Sequence, residues 1–133
     1  MKRWLAAGGI IFASFIGVGL YIDRVVLGPP LITIHNNSGT TLHSVVVSGR
    51  GFSLAIPMIE PSTSTTVRVR PVGESDLFLS FDASGRQVSK GDLAYIEASG
   101  GYRVYIEVGP EFDVTAKGSL GPQNLTEFFS SAL

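Results

Sequence analysis

The sequence predicts an all-β sandwich, preceded by one membrane-spanning helix and followed by a short amphipathic helix. Three observations carry that reading. Residues 4–22 hold no charge and are mostly apolar, between Met1-Lys2-Arg3 and Asp23-Arg24. From residue 31 onward apolar residues alternate with polar ones over short runs, the period of a half-buried strand. Turns rich in Gly, Asn and Pro separate those runs about every ten residues, with no helical period between them, as in a sandwich or barrel.

Composition narrows the class. A chain of 133 residues admits one domain with an appendage. The mean hydropathy of +0.31 traces to the first apolar run. Without residues 4–22 the hydrophobic share falls from 44% to roughly 39%, ordinary for a soluble domain. A formal net charge of −1 leaves no basic footprint for nucleic acid. The absence of Cys excludes disulfides, a thiolate nucleophile, Cys-ligated metals and Cys-borne lipid anchors.

Residues 1–27 read as a signal anchor. The run of 19 uncharged residues spans roughly 28 Å as a helix, close to the hydrocarbon thickness of a bilayer. Trp4 and Tyr21 stand near its ends, where aromatic rings favour the membrane interface. Gly28-Pro29-Pro30 stops helical continuation. A cleaved signal peptide has a shorter apolar core closed by small residues, and this run ends without such a site. Lys2 and Arg3 precede the run and Arg24 alone follows it closely, so the N-terminus is expected in the cytoplasm. Everything after residue 22 is then exported, into the periplasm if the membrane is a bacterial inner membrane. Gly9, Ala13 and Gly17 recur every four residues and form a smooth helical face for packing on a second membrane helix.

Residues 28–116 read as the exported sandwich, with seven to nine short strands. The first is 31–35, and Asn36-Asn37-Ser38-Gly39 turns the chain. A Val-rich run at 42–48 and the alternating 52–56 follow, joined by Gly49-Arg50-Gly51. Pro57 and Pro61 bracket an irregular crossing. Val67 and Val69 alternate with Arg68 and Arg70, and 77–81 alternates again. A turn at 83–85 leads to a weak segment near Val88. The run 93–97 and the turn 99–101 precede 102–108, the cleanest alternation in the chain. Residues 112–115 add a last short strand.

Ile32-Thr33-Ile34-His35-Asn36-Asn37-Ser38-Gly39 with Val45-Val46-Val47 resembles the first hairpin of exported immunoglobulin-like domains. Ile59-Glu60-Pro61-Ser62 followed by Val67-Arg68-Val69 is similar to their mid-domain Pro turn and next strand. The resemblance covers about half of the domain and implies an antiparallel immunoglobulin-like sandwich, without implying an activity. The chain departs from the antibody pattern in lacking the Cys pair and any Trp other than Trp4. Asp92-Leu93-Ala94-Tyr95 is similar to a tyrosine corner.

The chemistry-bearing residues form no catalytic pattern. His35 and His43 flank the expected first hairpin, where register decides whether they share a face. No HxH or HExxH spacing accompanies them, and no G-x-S-x-G elbow occurs despite the Ser- and Thr-rich 62–66. Asp82-Ala83-Ser84-Gly85 lacks the alternating acids and distal Glu of a calcium loop. The sequence therefore points to no catalytic, cofactor or metal residues and to no enzyme. Residues 28–133 carry seven Lys and Arg against ten Asp and Glu, evenly sprinkled along the chain. Phe78 and Tyr105 fall opposite the main apolar rows of their strands, and Ile96 is read the same way, so these mark a candidate contact surface.

Residues 117–133 read as a linker and tail. Asn124 and Glu127 have capping-box spacing, and Leu125, Phe128, Phe129, Ala132 and Leu133 lie on one helical face. A helix this short is not stable alone in water, so it docks on its own sandwich, engages a partner or membrane, or stays unfolded. The expected role is a single-pass membrane-anchored accessory or scaffold protein. Its non-catalytic sandwich binds another membrane or envelope protein, with homo-oligomers allowed. The competing role is a soluble exported domain, released by cleavage, that holds a small ligand or glycan.

Overall fold

The computed structural model describes residues 16–20 and 27–121. Residues 16–20 are helical, and Ile16, Val18 and Leu20 stand about half exposed. No helix among the described residues is long and apolar enough to cross a membrane. Gly17 lies in this segment, with nothing within 4 Å of the position a Cβ would take. Gly9 and Ala13 lie outside the described residues, as do Leu125, Phe128 and Phe129.

The described chain is mostly β, with 54% of it in strands that form a sandwich-like arrangement. In chain order the strands are β1 (Leu31–Asn36), β2 (Leu42–Gly49), β3 (Phe52–Ile59), β4 (Ser64–Arg68) and β5 (Ser75–Asp76). They continue as β6 (Phe78–Ala83), β7 (Arg86–Lys90), β8 (Tyr95–Ile96), β9 (Arg103–Val108) and β10 (Val114–Ser119). One sheet runs β10-β9-β1-β4, the other β3-β2-β6-β7, and β5 and β8 pair as a small ribbon. Alternate residues point inward, as the pleat requires. Ile32, Ile34, Val104 and Ile106 from the first sheet meet Val45, Val47, Leu79 and Phe81 from the second in one buried cluster. Phe112, in the β9–β10 turn, sets its ring edge-on to Phe81 with centroids 6.1 Å apart. The Arg86 guanidinium lies 5.4 Å over that same Phe112 ring.

The structure corrects the expected first hairpin. β1 and β2 do not pair, because the chain crosses from one sheet to the other between them. The crossover is held by Asn36, which is fully buried at the end of β1. Its Nδ2 donates to the carbonyls of Thr40 at 2.8 Å and Ile59 at 2.9 Å, the latter at the end of β3 in the opposite sheet. Its Oδ1 accepts from the Ser38 backbone N–H at 3.0 Å and the Ser38 hydroxyl at 2.6 Å. Every polar atom of this side chain is thus satisfied, the condition on which burial of an amide is tolerated.

Two further corrections follow. The sandwich is not wholly antiparallel, since β1 runs parallel to β9 from Leu31 opposite Arg103 to Asn36 opposite Val108. Both strands enter the first sheet from the same end, so parallel pairing is the only course. Pro57 lies inside β3 and not in an irregular crossing. β3 is an edge strand, where a missing donor is tolerated. Opposite it, Ser44 takes φ +50° at a β-bulge between β2 and β6.

The last strand starts later and ends later than the sequence indicates. Phe112 takes φ +61° in a turn closed by Gly109 N–H donating to Asp113 O at 2.8 Å. β10 then runs to Ser119, so Lys117, Gly118 and Ser119 belong to the sheet and not to a linker. The expected strand at 93–97 shrinks to β8, and Ile96 is fully buried in the core instead of facing outward. Tyr95 is 48% exposed and donates to Glu97 Oε1 at 3.1 Å, unlike the backbone-bonded hydroxyl of a tyrosine corner. The segment Asp82-Ala83-Ser84-Gly85 is a two-residue hairpin, with φ +49° at Ser84 and +72° at Gly85, as in a type I′ turn.

Asn36→Ala is expected to destabilise the domain by about 3 kcal/mol, because it strands the Thr40 and Ile59 carbonyls and leaves a small void. Asn37→Ala, at an exposed neighbour, should stay within about 0.5 kcal/mol of the parent. Urea unfolding curves of both variants at a common slope measure the difference. Equal midpoints would remove Asn36 from the role of sheet tie.

Candidate functional site

The outward face of the first sheet is fixed by its registers. Arg68, Leu31, Arg103 and Ser119 form a row across β4, β1, β9 and β10. Thr66, Thr33, Tyr105 and Lys117 form the next row, and Ser64, His35, Glu107 and Thr115 the third. Short hydroxyl side chains floor this face. Thr33 and Thr66 share a hydroxyl hydrogen bond at 2.8 Å, and His35 Nδ1 meets the Ser64 hydroxyl at 2.8 Å. The His35 ring stacks on Tyr105, with centroids 6.4 Å apart and planes 20° from parallel.

An open hollow of about 530 Å³ lies on this face, lined chiefly by Leu31, Thr33, Thr66, Arg103, Tyr105 and Lys117. Gly118 also lines it, and nothing stands within 4 Å of where its Cβ would be. Lys117 lies opposite Tyr105, so it is the diagonal neighbour of Arg103 across β9 and β10. Diagonal neighbours are about 7–8 Å apart, within reach of two long cationic side chains converging on one group. Among the described residues Arg68, Arg103 and Lys117 form no ion pair.

Ser119 also borders a second hollow of about 430 Å³, with Leu93, Ala94, Tyr95, Tyr102 and Leu120. Desolvation raises the Tyr95 phenol above its ordinary value, and the Glu74 and Glu97 carboxylates push it the same way. The same desolvation, with weaker repulsion from Glu97 and Glu74, raises the Tyr102 phenol.

The expected contact residues separate in space. Tyr105 is 41% exposed on the outer face of the first sheet, whereas Phe78 is 43% exposed on that of the second. They do not form one patch. The Phe78 ring covers Gly91, where a Cβ would come within 2.8 Å of it. His35 and His43 are also separated, on different sheets, and His43 stands opposite Asp82 in the register of β2 and β6. No group of three or more metal-ligating side chains occurs among the described residues. Sequence reasoning missed Arg68, Arg103 and Lys117 as a set. The alternation of 102–108 already put Arg103 beside Tyr105, but only the parallel register brings Leu31 and Arg68 to them.

No protein-family model and no curated protein matches the chain. A solved structure, the NMR structure of the protein from Eubacterium rectale, is similar in fold. It shares 13% identity over 71% of this chain and 89% of its own, at a TM-score of 0.50, and so speaks to the fold alone.

The raised phenols set an alkaline limit. A phenol whose folded pKa lies above its unfolded value of about 10 stabilises fully below that pH, and the stability is lost as pH rises beyond it. Tyr95→Phe should therefore flatten the fall in stability between about pH 10 and 11.5, measured by urea unfolding at each pH. An unchanged slope would remove Tyr95 from that limit.

Proposed function

We propose that the chain is a single-pass membrane-anchored, non-catalytic binding protein whose exported immunoglobulin-like sandwich engages another membrane or envelope protein. One observation carries the reading. The chain enters and leaves the sandwich at the same end. Leu31 N–H donates to Tyr102 O, Gly101 N–H to Gly28 O, and Gly121 N–H to Gly100 O, all within 3.0 Å. Gly28 and Gly121, the points at which the described domain starts and stops, therefore lie at one end. An anchor at that end leaves the far end and the outer face of the second sheet open to a partner. Ile16, Val18 and Leu20, exposed on the helical segment 16–20, supply apolar surface of the kind a bilayer or a second helix covers.

The hollow beside Tyr105 favours a second reading, in which the same sandwich is released by cleavage and holds a small ligand or glycan. The mature N-terminus separates the two. N-terminal sequencing should return residues from the start of the chain for the anchored protein, and a start beyond about residue 20 for the released one.

A photocrosslinking side chain placed at Phe78 and, separately, at Tyr105 tests the partner in native membranes. A discrete adduct from one position and not the other is expected, since the two lie on opposite faces. No adduct from either position would overturn a partner bound through the exposed aromatics.

A further inference from the structure

The cations that look sprinkled in the sequence are sorted in the fold. The end at which the chain enters is marked by Leu31, Arg68, Arg103 and Ser119, the first row of the outer face. The β2–β3 hairpin at Arg50 reaches the same end, joined to the 72–75 segment by Val72 N–H donating to Arg50 O at 2.9 Å. Arg70 follows β4 there, and Lys90 ends β7 opposite Leu79, close to where Ser48 pairs with Phe78. With Lys117 in the second row, six of the seven Lys and Arg between 27 and 121 lie in this half, Arg86 being the exception. Of the nine Asp and Glu in that span, Glu60, Asp82, Glu107, Glu111 and Asp113 lie in the far half. The four near-end carboxylates, Glu74, Asp76, Asp92 and Glu97, belong to the β5–β8 ribbon and its flanks. The hollow side of the near end carries Arg68, Arg103 and Lys117 without a carboxylate in their two rows.

We propose that this end is a docking surface for an anionic membrane, with lipid headgroup phosphates seated at Arg68, Arg103 and Lys117. The proposal rests on the anchored reading above and adds the orientation of the domain and the chemistry of its contact. Three observations converge on a bilayer. The apolar run of residues 4–22 ends nine residues before Leu31, a span of at most about 30 Å, so the near end is the part of the domain within reach of the headgroups. Leu27, beside the chain entry, and Leu120, beside its exit, are exposed, 55% and 38% respectively. The charge is complementary to phosphate, with Arg offering a bidentate fork and hydroxyls of Thr33 and Thr66 beside it.

Because the chain contains no Cys, single-cysteine labelling of the full-length protein in nanodiscs tests the contact directly. Thr66→Cys probes the hollow and Ser84→Cys the far end. The probe membranes are phosphatidylcholine alone and phosphatidylcholine with a third phosphatidylglycerol. Labelling of Thr66→Cys by a membrane-impermeant maleimide should slow at least about fivefold in the anionic discs, and high salt should reverse it. Ser84→Cys should label equally in both. Adding Arg68→Gln, Arg103→Gln and Lys117→Gln should restore fast labelling at residue 66, with thermal unfolding confirming that this variant folds. Equal rates in the two lipids, or protection that survives the three substitutions or salt, would overturn the contact. Release of the protein from vesicles by alkaline carbonate would instead overturn the anchor, which the labelling pattern does not read.

Discussion

One buried side chain sets the course of the chain. Asn36 ends β1 with its amide enclosed, donating to Thr40 and to Ile59 and accepting twice from Ser38. An amide in that position is costly unless fully bonded, so the geometry that bonds it is strongly preferred. That geometry sends the chain across to the second sheet instead of back along β1. Both flanks of β1 stay open, and β4 and β9 take them. The parallel pairing of β1 with β9, the rows of the outer face and the meeting of Arg68 with Arg103 around Leu31 all descend from this crossover.

The second sheet solves a different problem. Leu42 and Val45 are both buried, three residues apart, and so are Ile56 and Ile59 on the neighbouring strand. A regular pleat places residues three apart on opposite faces. The bulge at Ser44 restores the inward phase on β2, and Pro57 lies across from it on the edge strand β3, where a missing donor is tolerated. Two residues that look like interruptions in the sequence therefore keep four apolar side chains in the core.

The strands were legible because their signal is local. Alternation at 31–35 and 102–108 and the Gly-containing turns need no knowledge of partners, and β1, β2, β6 and β9 fall where they indicate. What the sequence could not supply was pairing. Asn36-Asn37-Ser38-Gly39 has the composition of a hairpin turn, and nothing in those four residues shows that the Asn36 amide reaches Ile59, 23 positions away. Ile96 looked outward because its short strand has a clear alternation only with its neighbours, while its burial depends on packing over the core. The same blindness hid the cationic row. Arg68, Arg103 and Lys117 are separated by 35 and 14 positions along the chain, and only registers place them together.

The sorting of charge has a physical implication of its own. Arg68 and Arg103 stand two strands apart with Leu31 between them, about 10 Å from backbone to backbone. At physiological salt the screening length is about 8 Å, so their repulsion is modest but unrelieved, because no carboxylate pairs with either among the described residues. Folding gains nothing from this arrangement. Exchanging Arg68 with an acid of the far end, such as Glu60, would spread the charge more evenly without touching the core, since both side chains are exposed. The four carboxylates of the cations' own end sit on the β5–β8 ribbon and its flanks and not in these rows, so they leave this repulsion in place. On the membrane contact proposed above, headgroup phosphates supply the compensating charge at the end from which both termini of the sandwich emerge.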